Sequence, residues 1–141
     1  MTLEELDEFL PNGLHDARIK TLAHNYERGA VKLEVEILFG LPGDPEPNRF
    51  RYRDGEILFH RVLFCSIEVP ENGRIIGHPG SIWFKFWRTE PGVLPEKVTD
   101  SLPPGTLCYS LYVLEWESQI HIAADSVSFL WAEAIAATAA R

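Results

Sequence analysis

Hydrophobic and polar positions change period several times along the chain, and each change marks an element. Residues 1–10 follow a helical period: Leu3, Leu6 and Leu10, joined by Phe9, form an apolar stripe. Thr2 with Glu5 three residues later has the form of a capping box, and Pro11-Asn12-Gly13 stops the helix. From Ala17 the period drops to two. Ala17, Ile19, Thr21 and Ala23 alternate with Arg18, Lys20 and Leu22, which predicts a half-buried strand. Glu27 to Ala30 supplies a hairpin turn in which Gly29 is free to take positive φ. The return strand puts Val31, Leu33, Val35, Ile37 and Phe39 on one face and Lys32, Glu34 and Glu36 on the other.

The Pro/Gly-rich stretch 40–49 predicts a loop. Two strands are then expected around an Asp54-Gly55 turn, "RFRYR" and "EILFHRVLFCSIEV". The second is apolar on both faces through its middle, the pattern of a central strand covered on each side. "ENGRIIGHPG" reads as a loop with a turn at Asn72-Gly73, and residues 81–88 as a strongly aromatic strand. Prolines run through 89–105, leaving room for one short helical turn near Pro95–Leu102. "TLCYSLYVLEW" and "SQIHIAA" form a second hairpin joined around Glu117-Ser118, and "SVSFLW" a last strand. The tail, 132–141, has helix propensity without an amphipathic stripe and is either a short docked helix or frayed. The expectation is one domain over 1–141, mainly β and α+β only at its margin. An N-terminal helix (1–10) accompanies an antiparallel core (14–131) built as a β-sandwich or strongly curved sheet.

Composition narrows the function classes. Thirteen basic residues against twenty-one acidic ones give a net charge of −8. Neutralising phosphates drives general nucleic-acid binding, so this sign argues against it and suits a basic partner. No apolar run has the length of a membrane span. Cys65 and Cys108 lie far apart inside apolar runs and there is no secretory leader pattern. They read as buried free thiols of a cytoplasmic protein.

Candidate chemistry is dispersed. There is no GxSxG, no Gly-rich phosphate loop and no cysteine set to be activated, so no enzyme activity and no cofactor is expected. The histidines His15, His24, His60, His78 and His121 show no zinc spacing; a ligand or metal site assembled across strands would draw on His15, Asp16, His60 and His121. Arg49, Arg51 and Arg53 alternate with Phe50 and Tyr52, as in a solvated edge strand protected by charge. On the aromatic strand Trp83, Lys85 and Trp87 share a face opposite Ile82, Phe84 and Phe86, and that face is a candidate partner surface. A second candidate is the acidic side of the helix, Glu4, Glu5, Asp7 and Glu8. Neighbours on a strand point to opposite faces, so His15 and Asp16 are expected to bond backbone where helix, turn and first strand meet rather than to act on each other.

The segment Leu14-His15-Asp16-Ala17, followed by an alternating hairpin to about Phe39, resembles the opening of small bacterial proteins that include immunity-protein families of polymorphic toxin systems. The resemblance implies a cytoplasmic inhibitor that binds and blocks a toxin, often a nuclease. A ligand-binding β domain and a structural domain whose polar residues serve only folding are the alternatives.

Overall fold

A computed structural model of the chain describes residues 1–71 and 80–139, with side chains in the last helix as far as residue 135. The turn expected at Asn72-Gly73, His78 and the end of the tail lie outside the described residues. Helix α1 spans Leu3–Phe9, α2 Glu96–Ser101 and α3 Ala132–Ala139. Eight strands follow in chain order: β1 Arg18–Asn25, β2 Ala30–Leu38, β3 Tyr52–His60, β4 Phe64–Ile67, β5 Ile82–Arg88, β6 Leu107–Val113, β7 Ser118–Ala124 and β8 Ser126–Trp131. They form one antiparallel sheet in the order β4-β7-β6-β5-β1-β2-β3-β8.

Connectivity shows how far that sheet curls. β7 and β8 are six strand positions apart, about 29 Å on a flat sheet. Only Asp125 separates them in the chain, a reach of about 7 Å. The sheet therefore folds back until its halves face each other, and Phe59 of β3 meets Tyr109 of β6 edge to face with ring centroids 6.4 Å apart. The space between the halves is one core, lined by Ile19, Val31, Leu33, Val35, Ile37, Ile57, Phe59, Phe84, Tyr109, Leu111, Ile120, Ile122 and Val127. Helix α1 adds Leu3 and Leu6 to it, and Leu10, just past the helix end, a third leucine. Phe9 stands off that stripe and is 69% exposed.

The capping box closes as expected: Glu5 N–H donates to Thr2 Oγ1 at 3.1 Å and Thr2 N–H to Glu5 Oε2 at 2.7 Å. Both hairpins, α2 and β8 also lie where the pattern puts them. Other expectations are corrected. A β-bulge between Ile19 and Thr21 adds a residue to β1 and inverts its alternation, so Leu22 packs on the core while Thr21 and Ala23 are exposed. Asp54-Gly55 is not a turn but lies inside β3, opposite Glu36 and Val35 of β2. Gly55 is there because a Cβ would come within 2.7 Å of the Phe129 ring.

The long apolar run is not one central strand. Arg61, at φ 50°, breaks it into β3 and the edge strand β4, which serve different halves of the sheet. The arginines do not share an edge-strand face either. Arg49 lies in a 3₁₀ turn (Asn48–Phe50), Arg51 follows it, and Arg53 is in β3, its guanidinium 4.0 Å from the Trp131 ring centroid. The opposite edge of the sheet, β8, is covered at Val127 by the chain start: Met1 N donates to Val127 O at 3.0 Å and Val127 N–H to Met1 O at 2.9 Å.

Candidate functional site

Between α1 and β1 the chain turns through residues 10–17, and two polar side chains pin the turn. Asp7 Oδ1 accepts Leu14 N–H at 2.6 Å, and Asn12 Nδ2 donates to Leu38 O at 3.1 Å and Gly40 O at 2.7 Å. Asp7 and Asn12 thus perform the backbone-corner role expected of His15 and Asp16. The latter pair behaves otherwise because Asp16 is left-handed, with φ 58°. That rotation cancels strand alternation and brings His15 Nε2 to 3.3 Å from Asp16 Oδ2, with 78% and 44% of the two side chains exposed.

The same left-handed residue carries the chain away from β5. β1 and β5 pair only at Arg18↔Trp83 and Ile19↔Ile82, with one more bond from Phe84 N–H to Ala17 O at 3.3 Å. A cleft of about 250 Å³ opens beyond it, walled by Asp7, His15 and Asp16 on one side and Trp83, Lys85 and Phe86 on the other. The fold thereby joins two groups that the sequence nominates separately. The volume is small beside the ~300–1,000 Å³ of a drug-sized ligand site.

The aromatic face points outward, yet its indoles are not equally open. Trp83 lies beneath Arg18, whose guanidinium is 5.1 Å from the Trp83 ring centroid and 4.2 Å from that of Tyr52, and which pairs with Glu36 at 3.0 Å. Trp87 is 38% exposed and stacks on Tyr112 with ring centroids 6.1 Å apart. Lys85 between them is exposed.

The acidic helix side is largely committed to the fold. Besides Asp7 and the capping Glu5, Glu4 accepts Tyr109 Oη–H and Arg88 Nε–H, both at 2.5 Å. Glu8 is exposed, and among the described residues its side chain has no hydrogen bond or ion pair. Burial raises the Glu4 carboxyl, but the bonds from Tyr109 and Arg88, its own backbone and the Arg88 charge outweigh this and hold it below its ordinary 4.5. Burial, then the bond to Glu4, pushes Tyr109 up to about 12. Protonated Tyr109 therefore contributes stability that is complete below pH 10.0 and lost as pH rises through about 12. Ionised Glu4 contributes above pH 4.5 and its share is lost as pH falls through its lower folded value. Ultraviolet titration should show a phenol ionising near 12 whose ionisation coincides with loss of stability, a step absent from Tyr109→Phe.

His60 and His121 lie in separate environments. His60 Nε2 lies 2.7 Å from Ser128 Oγ on β8. His121 Nδ1 lies 2.8 Å from Ser110 Oγ and its Nε2 2.7 Å from Glu68 Oε1, while Ser110 Oγ is 2.9 Å from Thr89 Oγ1. The site expected from His15, Asp16, His60 and His121 is not assembled, because the turn, β3 and β7 place them in three environments. Among the described residues no group of three or more His, Cys, Asp or Glu is placed to hold a metal.

The chain Glu68–His121–Ser110 has the order of a carboxylate–imidazole–hydroxyl relay. Ser110 is only 1% exposed, so the relay fastens the strands that carry it and presents no open hydroxyl. The β6–β7 register already pairs Ser110 with His121. Glu68, which follows β4 and comes from elsewhere in the chain, left no signal in the sequence. Both cysteines are half-buried, and burial raises both thiols, with the Arg88 charge partly opposing it at Cys108.

No family model, curated protein or solved structure matches the chain. Among the described residues no helix is long and apolar enough to cross a membrane.

Proposed function

We propose that this chain is a non-enzymatic protein-binding domain of the immunity type, which blocks a basic toxin domain by occlusion. The observation that carries the reading is the cleft where the His15–Asp16 turn meets the Trp83–Lys85–Trp87 strand. An aromatic, partly open surface beside a side-chain-sized recess is the form that binding hot spots take. The net charge of −8 favours encounter with a basic surface, and the resemblance of Leu14–Ala17 to immunity-protein openings points the same way.

The test removes the exposed part of the surface and leaves the core alone. A partner captured from the native host should bind the Trp87→Ala/Lys85→Ala protein at least about tenfold more weakly, about 1.4 kcal/mol. A distant Lys32→Ala control should bind normally, and both proteins should keep their thermal midpoint. Wild type, but not the double variant, should relieve the partner's toxicity on co-expression. Equal binding and equal protection by both proteins would overturn the reading.

A further inference from the structure

We infer that β5 receives an extended segment of the partner along its free edge, with a basic side chain of that segment seated between Asp7 and Asp16. The inference rests on the protein-binding reading and says how the contact is made. One side of β5 is fully engaged by β6, from Phe84↔Val113 to Arg88↔Tyr109, and the ladder continues as Thr89 N–H donates to Cys108 O at 2.9 Å. Successive residues of a strand direct their backbone groups to alternate sides. Trp83 belongs to the β6 side, where its carbonyl accepts Leu114 N–H at 3.1 Å, and so do Lys85 and Trp87. Phe84 uses its N–H on the other side, toward Ala17. Phe86 is in phase with Phe84, and among the described residues no strand pairs with β5 at Phe86.

Other exposed edges of the sheet are protected: β8 by the chain start at Val127, and β4 by its brevity. At Phe86 the edge instead opens on the cleft. Backbone donors and acceptors recurring about every 6.8 Å along an edge match another extended chain and little else. The Arg88–Glu4 pair closes the far end, so the incoming segment is short and centred on Phe86. Asp7, with one oxygen held by Leu14, and Asp16 line the opposite wall. With the overall charge of −8, they select a lysine or arginine over an acidic side chain.

Amide exchange and a display selection test this together. In the free protein Phe86 N–H should exchange at least about tenfold faster than those of Lys85 and Trp87. A random peptide library selected on wild type should enrich extended sequences carrying Lys or Arg, and the synthetic winning peptide should protect Phe86 N–H. That peptide should bind Asp16→Asn about fivefold more weakly, since asparagine keeps the left-handed turn but not the charge. Slow exchange of Phe86 in the free protein, or winning peptides that perturb residues away from β5, would overturn the inference. A captured partner that depends on Trp87 and Lys85 yet leaves Phe86 unprotected would remove strand addition while keeping the binding function. A protecting peptide with no protein partner would do the reverse.

Discussion

Replacing Tyr109 with alanine is expected to lower the unfolding free energy by about 3–5 kcal/mol. That is a large part of the roughly 5–15 kcal/mol that holds a domain together. The ring is fully buried between the two halves of the sheet, edge to face with Phe59 at 6.4 Å and Phe86 at 6.2 Å. Its hydroxyl accepts Leu3 N–H at 3.0 Å and donates to Glu4 at 2.5 Å, so α1 hangs on the same side chain. Tyr109→Phe separates the two contributions. It keeps the ring contacts but leaves a buried N–H without its acceptor, at a cost of about 1–3 kcal/mol. Chemical denaturation of the three proteins measures both steps. A loss of only about 1 kcal/mol in the alanine variant, the size of an average substitution, would mean that the halves and the helix hold together without this ring.

The elements that were legible in the sequence are those whose signal is local. The capping box at Thr2 and Glu5, the β1–β2 hairpin around Gly29 and the β6–β7 hairpin each depend on contacts between near neighbours in the chain. What was hidden depends on contacts made across the fold. A single extra residue at the β1 bulge inverts every side chain after it, and no residue type announces that insertion. Gly55 looks like a turn residue until the Phe129 ring is known to lie against it.

The site divides in the same way. The sequence nominates His15 and Asp16, and separately Trp83, Lys85 and Trp87. That the first pair and the first two of the trio wall one cleft follows from the two-residue β1–β5 pairing, which joins distant parts of the chain. Asp16 carries the second lesson. Alternation forbids its contact with His15 only while the backbone is extended, and one left-handed residue removes the prohibition.

His121→Ala should cost about 2–3 kcal/mol, and the damage should be local. The imidazole is almost completely buried on β7 and bridges Ser110 on β6 to Glu68, which follows β4. Among the described residues β4 has only β7 as a strand partner, so it depends on further fastenings at its ends. These include Leu63 N–H to Ala123 O at 2.8 Å, Glu68 N–H to Gln119 O at 2.9 Å, and the bonds of the Glu68 carboxylate to Gln119 N–H at 3.3 Å and to His121 at 2.7 Å. Truncation empties the imidazole site, leaves the Glu68 carboxylate with the Gln119 N–H and leaves the Ser110 hydroxyl bonded to Thr89. Glu68→Gln is milder, within about 1 kcal/mol, because Glu68 is half-exposed and an amide oxygen can still accept from the ring. Hydrogen exchange distinguishes this from a general loss of stability. Amides of Ser66 and Glu68, which face β7, should lose protection in His121→Ala while those of Leu33 and Val35 in β2 keep most of theirs. A uniform loss across both groups would show that β4 opens only with the whole sheet, and that His121 supports the core rather than fastening its edge.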